Sequence, residues 1–409
     1  MKRKDFLRNS AAAAIGISLL HGCNKEDTPE IQTETPPFPY LEVNETSNYD
    51  IGYKIGEHFK MQFNEVYARN EANKVNNPDS PFNGMDLLSI LMYFVEGDPD
   101  TFYNPFLSAA EERYNNYVEE VRGLAEGSGI PFKKMFVNLC VFEILGKLGS
   151  EGQVLNNEMC ATKGCSSVTF SKDSKLFLAH NEDLSTANAD LMYVVKVIQP
   201  GKPAFMGLNY PGMILGVPPS TNEAGMMFTG NQVDIPVSSD GVPWVFLCRA
   251  MQEAQTIDEV KSILQFPGIG YSAHFNIGSL SENRIISAEV MPGKHEFYEV
   301  DNFYVHTNHF VLPTMKDDSI IGENTTTRYN LLKEKSGAFT SKPDEVTGDL
   351  ITSWMSSHDG HPHSVCVHSA EGLTLAHSLF DFQKKTWKLY RGNPCNNAYK
   401  TLQLPISGL

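Results

Sequence analysis

The sequence lacks an excess of basic residues, and its N-terminal apolar run is too short to cross a lipid bilayer. Its 409 residues contain 33 Lys and Arg against 49 Asp and Glu, which gives a formal net charge of −16. Such a chain offers no basic patch for phosphate groups, so we expect neither nucleic acid nor an anionic lipid surface as a partner. The apolar run at residues 11–20 is shorter than the roughly 20 residues that a transmembrane helix requires.

Cysteine is also scarce, with 7 residues in the whole chain. Apart from Cys23, the cysteines are Cys140, Cys160, Cys165, Cys248, Cys366 and Cys395. This number is too small for a disulfide scaffold in so long a chain. There is no internal repeat, and 41% apolar residues can form a sizeable core, so the composition is that of an ordinary globular protein.

Residues 1–23 have the pattern of an export signal, with a basic start followed by the apolar run. The last four residues, LHGC, resemble a bacterial lipobox, which predicts that Cys23 is lipidated and that the protein is a periplasmic or cell-surface lipoprotein. An ordinary cleaved signal is the alternative, and residues 3–8 leave the export route open between the general and the twin-arginine pathway. Residues 24–40 are polar and contain prolines, which predicts a flexible tether.

Apolar residues recur at helical spacing over 51–66 and 114–125, and a third helix is expected from Pro131 through Phe142. Residues 41–164 are therefore predicted to be mainly helical.

From Cys165 onward, short runs rich in Val, Phe, Ile and Tyr alternate with Gly, Pro, Asn and Asp, which is typical of β-sheet. Two helices are expected to interrupt the strands, one over 246–264 and one over 327–335. The tail returns to strands, among them SVCVH at 364–368.

Residues 163–183, KGCSSVTFSKDSKLFLAHNED, predict a β-hairpin that turns at residues 171–174. With the pairing centred near residue 173, Cys165 would lie opposite Asn181, and Asp183 would be a diagonal neighbour. Because side chains alternate along a strand, Glu182 would point to the other face. The Cys165 thiol and the Asp183 carboxylate would then share one neighbourhood.

No histidine lies at an obvious triad spacing from Cys165, so its thiol needs another base. A cut between Gly164 and Cys165 would free an α-amine with a usual pKa of about 7.7 to 8.0, close enough to accept the thiol proton. Glycine suits the cut because it allows close approach to its carbonyl. The alternative from these residues alone is a strand entrance with a small buried cysteine.

These segments resemble the penicillin acyltransferase-like family of N-terminal-nucleophile (Ntn) cysteine hydrolases, which is related to isopenicillin N acyltransferase. The resemblance covers almost the whole mature chain, at residues 47–60, 111–130, 164–183, 222–231, 306–310 and 391–399. It implies an α+β fold, a four-layer αββα sandwich with two antiparallel sheets between helical layers. It also implies a precursor that splits into a helical α-chain (41–164) and a β-chain (165–409), which stay associated.

The resemblance also assigns residues. Cys165 matches the nucleophile, which first attacks the Gly164 carbonyl and afterwards attacks substrates. Asp183 matches the carboxylate that orients the freed amine, and Arg328 matches an arginine expected to pair with that carboxylate. Cys160 is a competitor for the nucleophile, but it lacks a preceding glycine and the hairpin spacing.

Two amides complete the implied site. Asn231 matches the side-chain donor of an oxyanion hole, although alone it is equally a turn residue in FTGNQVD. Asn308 resembles a second amide that lines the site. Glu182 stands where many relatives carry an aromatic residue, which departs from the acyltransferase pattern.

A zinc site is the first rival interpretation, because residues 356–368 carry suitable ligand types. These are His358, Asp359, His361, His363, Cys366 and His368. Their spacing matches no standard zinc signature, and the segment also resembles the family's tail strand. We therefore expect no metal and no cofactor.

The predicted reaction is acyl transfer through a thioester at Cys165. With water as acceptor the enzyme would be a hydrolase of small-molecule linear N-acyl amides, and with an amine it would be an acyltransferase. Hydrolysis is favoured because acyl-coenzyme A is scarce outside the cytoplasm. A lipid-anchored binding protein without catalysis is the rival from another class.

Overall fold

The structure, a computed structural model, describes residues 38–406 apart from residues 79, 150–151, 153–163, 218 and 370–371. The signal segment with Cys23, nearly all of the tether and the competing Cys160 lie outside the described residues. The described residues belong to one compact unit, Pro36–Leu409. None of the helices described there is long and apolar enough to cross a membrane.

The N-terminal part of the chain is mainly helical, as predicted. After strand β1 (Tyr40–Asn44), its helices are α1 (Asn48–His58), α2 (Lys60–Ala72), α3 (Leu87–Gly97), α4 (Pro99–Phe102), α5 (Asn104–Ser128), α6 (Phe132–Leu139) and α7 (Val141–Lys147). The helix expected from Pro131 to Phe142 is thus divided at Cys140, where α6 ends and α7 begins.

Helices α1 and α5 pack at very short range because glycines lie at their contact. A Cβ atom on Gly52 would lie 1.9 Å from the Glu120 carbonyl oxygen, and one on Gly123 would lie 2.0 Å from the Tyr49 carbonyl oxygen. Only glycine fits at such distances. The Glu120 side chain is fully buried and binds Arg249 at 2.9 Å, which ties α5 to the part of the chain after residue 164.

Two sheets form the centre of the molecule. The remaining strands are β2 (Gly164–Lys172), β3 (Lys175–Ser185), β4 (Tyr193–Ile198), β5 (Phe205–Asn209), β6 (Ser220–Asn222), β7 (Met226–Gln232), β8 (Ala273–Ser279), β9 (Arg284–Met291), β10 (Lys294–Glu299), β11 (Asn302–His306), β12 (Gly372–Asp381), β13 (Thr386–Arg391) and β14 (Tyr399–Gln403). One sheet has eight strands in the order β1-β4-β5-β6-β7-β8-β9-β10, and the other has six in the order β11-β2-β3-β12-β13-β14. Neighbouring strands are antiparallel except β1 and β4, which are parallel.

The sheets face each other, and helices cover their outer faces. Across the interface, Ser167 of β2 donates a hydrogen bond to Asn231 of β7 at 2.8 Å. Helices α10 (Glu323–Gly337) and α11 (Gly348–Met355) pack their apolar side chains on the six-stranded sheet. On the eight-stranded sheet, Phe59 stacks on Tyr193 with ring centroids 3.8 Å apart. The predicted four-layer α+β arrangement is confirmed.

Two local predictions are wrong. Residues 246–264 do not form one helix but belong to α8 (Trp244–Met251) and α9 (Ile257–Leu264). The buried Asn222 amide donates to the carbonyl oxygens of Gln252 and Ala254 at 3.0 and 2.6 Å. These hydrogen bonds replace those that the two carbonyls would accept within a continuous helix.

Residues 364–368 do not form a regular strand either. Within them, His368 makes an isolated bridge to Leu373, and the Cys366 backbone N–H donates to the Ser357 carbonyl at 3.0 Å. Their backbone therefore bonds partly to a loop rather than to a long neighbouring strand.

Candidate active site

The hairpin of β2 and β3 carries the predicted nucleophile. Its turn residues, Asp173 and Ser174, have positive φ values of 50° and 62°, and the flanking residues 172 and 175 pair with each other. A two-residue turn of this kind centres the pairing between residues 173 and 174 rather than on residue 173. Cys165 therefore lies opposite Glu182 and not opposite Asn181 as predicted, because a shift of one residue moves a side chain to the other face.

On the face toward the eight-stranded sheet, the Cys165 thiol lies beside Glu182. The sulfur is 4.0 Å from Glu182 Oε2, which also accepts a hydrogen bond from the Tyr210 hydroxyl. The other Glu182 oxygen lies 3.0 Å from His180 Nε2. Sequence reasoning missed Glu182 as a partner of the thiol, and the signal for it was the pair of turn residues that favour positive φ.

The Cys165 thiol is strongly shifted toward its protonated form. Burial raises its pKa well above the usual value, and the negative charges of Glu182 and Asp183 act in the same direction. A backbone hydrogen bond from Asp183 and the charge of Arg328 lower the pKa but are weaker. The thiol therefore needs a base before it can attack a carbonyl group.

The main chain of residue 165 is held separately from its side chain. Its backbone N–H donates to Asn308 Oδ1 at 3.0 Å, and its carbonyl oxygen accepts from Arg328 Nη1 at 2.7 Å. Arg328 also donates to Asn308 Oδ1 at 2.6 Å and to Asn324 Oδ1 at 2.8 Å. The guanidinium thus binds the backbone of residue 165, whereas the sequence predicted a pair with Asp183. Among the described residues no hydrogen bond or ion pair joins Arg328 to Asp183, although the charge of Arg328 lowers the pKa of that carboxyl group.

Gly164 is required by the same arrangement. A Cβ atom at this position would lie 2.7 Å from Arg328 Nη2 and 2.9 Å from its Cζ. Arg328 is buried and held by several acceptors, so it has little room to move away. Any side chain at residue 164 would displace the guanidinium from the backbone of Cys165.

Asp183 lies opposite Gly164, on the face away from the thiol. Its Oδ1 accepts a hydrogen bond from Thr374 at 2.6 Å, while its buried Oδ2 has no hydrogen-bond partner in the described part of the chain. Burial raises the pKa of Asp183 to about 7, although the Arg328 charge and the Thr374 hydroxyl act against the increase. The free oxygen can accept a proton donor placed near residues 164 and 165.

Asn231 presents an unused donor. Its Oδ1 accepts from Ser167 Oγ at 2.8 Å and lies 3.0 Å from His274 Nδ1, which fixes the orientation of the amide. Its buried Nδ2 has no partner among the described residues. A fixed donor without a ground-state partner is suited to an oxyanion that forms only during reaction.

A cavity of about 230 Å³ opens beside Cys165 and Glu182. Most of its walls are apolar, and Tyr210 adds a hydroxyl group. The apolar lining includes Leu87, Leu91, Phe142, Pro211, Met213 and Trp244. Helices of the N-terminal part and strands of the C-terminal part both contribute to it.

Two groups of side chains in the described residues could hold a metal ion. One is Cys165 with His180 and Glu182, and a hydrogen bond already joins His180 to Glu182. The other is a cluster of His358, Cys366, His368 and Cys395. Other residues of the rival zinc interpretation lie elsewhere: Asp359 pairs with Lys335 at 3.0 Å, and His363 lies 3.3 Å from Asn324.

The family model for acyl-coenzyme A:6-aminopenicillanic acid acyl-transferase matches residues 169–396. The chain belongs to this family, which confirms the family predicted from the sequence.

Two curated relatives match most of the chain. The β-alanyl-dopamine/carcinine hydrolase of Drosophila melanogaster is 25% identical over 324 residues, which are 71% of this chain and 80% of that protein. The 40 kDa form of acyl-coenzyme A:6-aminopenicillanic-acid-acyltransferase from Emericella nidulans is 21% identical over 310 residues, 73% of this chain and 81% of that protein.

Two solved structures are more distant. A variant of conjugated bile acid hydrolase from Clostridium perfringens has a TM-score of 0.43 at 14% identity, over 58% of this chain and 92% of that chain. The N-acylethanolamine-hydrolyzing acid amidase ortholog of Caenorhabditis elegans has a TM-score of 0.36 at 15% identity, over 59% of this chain and all of that one (100%).

Proposed function

We propose that the chain is a self-cleaving Ntn cysteine enzyme that hydrolyses linear N-acyl amides through a thioester on Cys165. One observation carries the proposal: the thiol and the main-chain nitrogen of the same residue lie in separate polar settings. The sulfur is 4.0 Å from Glu182 at the cavity, and the nitrogen is 3.0 Å from Asn308 Oδ1. A cut before Cys165 would make that nitrogen an amine already held beside its own thiol.

Self-cleavage begins when Cys165 Sγ attacks the carbonyl carbon of Gly164 while the thiol proton passes to Glu182. The bond between the Gly164 carbonyl carbon and the Cys165 nitrogen then breaks, and the nitrogen takes the proton back. The resulting thioester joins Gly164 to the sulfur. Water hydrolyses it, which leaves a carboxylate on Gly164 and a free amine and thiol on Cys165.

In turnover, the free amine of Cys165 takes the thiol proton, and the sulfur attacks the substrate carbonyl. Asn231 Nδ2 donates to the oxyanion, and Ser167 keeps that amide in place. Asn308 and the free Asp183 oxygen hold the amine. The amine product leaves with one proton, and water then releases the acyl group as a carboxylic acid.

The cavity supports an apolar acyl group on the substrate, because its walls are mostly apolar. Two of its polar side chains, Glu182 and Tyr210, lie beside the sulfur, and further amide and hydroxyl side chains line other parts of it. The Drosophila relative is named a hydrolase, which supports water as the acceptor. Transfer to an amine is the second candidate, and the name of the Emericella relative supports it.

The two chains are proposed to stay associated after the cut. The buried pair of Glu120 and Arg249 links α5 to α8, and separation of the chains would break this pair. Export and lipidation at Cys23 remain proposals from the sequence pattern alone. If both occur, the lipid on Cys23 would be the protein's single contact with the membrane.

Trapping of the acyl-enzyme tests this proposal. Purified protein is mixed with a panel of N-acyl amides, quenched in acid, and digested for peptide mass analysis. We expect an acyl group on a peptide whose first residue is Cys165. Release of the carboxylic acid product from these substrates without any acylated cysteine would contradict the proposal.

A further inference from the structure

Four side chains from three separate segments meet at the surface next to β12. His358 lies in the loop after α11, Cys366 and His368 lie in the segment before β12, and Cys395 lies in the short 3-10 helix Pro394–Asn396 after β13. Their ligand atoms all lie within 4.8 Å of one another. Two thiols and two imidazoles are the ligand set of many structural zinc sites.

Four of the six distances among these atoms are close to the edges of a tetrahedron around one zinc ion, and the two from His358 to the sulfurs are within 4.8 Å. Zinc–sulfur and zinc–nitrogen bonds of about 2.3 and 2.05 Å require edges of about 3.8 Å for S–S, about 3.4 Å for N–N and about 3.6 Å for N–S. The two sulfurs are 3.8 Å apart, and the two Nε2 atoms are 3.1 Å apart. His368 Nε2 lies 3.4 Å from the Cys366 sulfur and 3.3 Å from the Cys395 sulfur.

The surroundings of Cys366 hold its side chain and its backbone in place. The buried Asn393 amide donates toward the Cys366 sulfur at 3.4 Å and to the Val367 carbonyl at 2.7 Å. A hydrogen-bond donor beside a ligating sulfur helps to fix the position of that ligand. The Cys366 backbone N–H is fixed to the Ser357 carbonyl at 3.0 Å, which holds the first and second segments together.

We propose that His358, Cys366, His368 and Cys395 bind one zinc ion as a closed, structural site. Binding replaces the two thiol protons, which leave to solvent, and no oxidation takes place. This proposal does not depend on the reaction at Cys165. The spacing of the ligand types within residues 356–368 predicted no metal. The fourth ligand, Cys395, lies 27 residues beyond His368, and the β12–β13 hairpin brings it near.

The site would also support the catalytic region. The Val367 backbone N–H, between two of the ligands, donates to Thr374 Oγ1 at 2.9 Å, and that hydroxyl donates to Asp183 Oδ1 at 2.6 Å. A metal that fixes residues 366–368 would therefore fix the hydroxyl that orients Asp183. This makes the four ligands positioning residues and not catalytic ones.

Metal analysis of the purified full-length protein tests the proposal. The protein is prepared without reductant, incubated with zinc chloride, desalted, and analysed by inductively coupled plasma mass spectrometry. We expect one zinc per chain in the wild type and in His361→Ala, a control in the same loop outside the cluster. Cys395→Ser and His368→Ala should each lower zinc occupancy at least about tenfold.

A second readout does not depend on the stability of the variants. Wild-type protein stripped with a chelator and loaded with cobalt(II) should show the visible absorption of a tetrahedral ion with thiolate ligands, and zinc should displace it. The absence of bound zinc, undiminished zinc in both ligand variants, or a disulfide between Cys366 and Cys395 in the purified protein would each overturn the proposal. The sulfur separation of 3.8 Å makes that disulfide the rival to exclude.

Discussion

The two faces of the β2–β3 hairpin carry different parts of the chemistry. The face toward the eight-stranded sheet bears Cys165, Ser167, His180 and Glu182, and the face toward α10 and α11 bears Gly164, Ser166, Asn181 and Asp183. On the first face, Ser167 and Glu182 connect the thiol to Asn231 and to the cavity. On the second, Arg328 and Thr374 surround the backbone at residues 164 and 165 and the Asp183 carboxylate.

This difference separates the sulfur from the amine. A strand sends neighbouring side chains to opposite faces, so Asp183 cannot lie beside the thiol when Glu182 does. The main-chain nitrogen of residue 165 lies between the faces and can be reached from both. In our account, the face toward the eight-stranded sheet therefore activates and orients the sulfur. The face toward α10 and α11 positions the amine that a cut would release.

The largest effect is expected from Cys165→Ala, which removes the one side chain that acts on both Gly164 and the substrate. Loss of the nucleophile should reduce kcat for amide hydrolysis at least about 10⁴-fold. Cys140→Ala is the matched control, because Cys140 is also buried but does not line the cavity. Residual turnover of Cys165→Ala above one hundredth of the control rate would contradict the assignment.

The second largest loss of activity is expected from Asn231→Ala. Removal of one oxyanion donor costs about 2.7 to 4 kcal/mol of transition-state stabilisation, so kcat should fall about 10² to 10³-fold with little change in KM. Asn276→Ala is the control, since Asn276 is an equally buried amide on neighbouring strand β8 that bonds Thr229 at 3.4 Å. Similar kcat values for the two variants would remove Asn231 from the mechanism.

Glu182→Gln should separate self-cleavage from turnover. Before the cut, Glu182 Oε2 is the base beside the sulfur, so its loss should slow self-cleavage about 100-fold. After the cut, the amine of residue 165 takes over that role, and turnover by cleaved protein should fall much less. The measurement follows precursor decay on denaturing gels and kcat of the mature form. Equal losses in both rates would contradict this division of roles.

The smallest effect concerns Asp183 in the uncut Cys165→Ala protein. Its pKa is raised from 3.8 to about 7 by burial, so between these values the folded state keeps a proton that the unfolded chain has lost. The free energy of unfolding should therefore fall as pH rises through this range, and Asp183 should contribute about 2 kcal/mol of the fall between pH 5 and 6.5.

Urea denaturation at several pH values measures this contribution. Adding Asp183→Asn should reduce the pH slope without abolishing it, because burial also raises the pKa of Glu143 to about 7 and gives a slope of the same sign. Asp173→Asn, at the exposed hairpin turn, is the control and should leave the slope unchanged. A slope unaffected by Asp183→Asn would show that the carboxylate is not buried as described.

Much of the fold could be predicted from the sequence because apolar spacing directly reports helices and strands. The division of 246–264 could not, since it depends on the Asn222 amide, which binds the carbonyls at the break from 30 residues away. The strand prediction for 364–368 was wrong for a similar reason: Val365 and Cys366 are buried, but beside a loop rather than within a sheet.

The candidate site could be located from the sequence but not oriented. The family resemblance predicted Cys165, Asp183, Asn231, Asn308 and Arg328. The structure places the first two on the β2–β3 hairpin and the others on β7, after β11 and on helix α10. The face of each side chain depended on whether the turn centres on residue 173 or between 173 and 174, a distinction that composition does not resolve. Cys395 was missed as a neighbour of His368 because only the β12–β13 hairpin joins them.

The central claim is that the bond before Cys165 is cut and that the freed nitrogen serves the adjoining sulfur. Intact-mass analysis of purified, active protein measures this directly. Our account predicts two polypeptides, the second beginning at Cys165, and a single uncut chain for Cys165→Ala. A wild-type protein that remains one chain at this junction and still hydrolyses N-acyl amides at its full rate would contradict it.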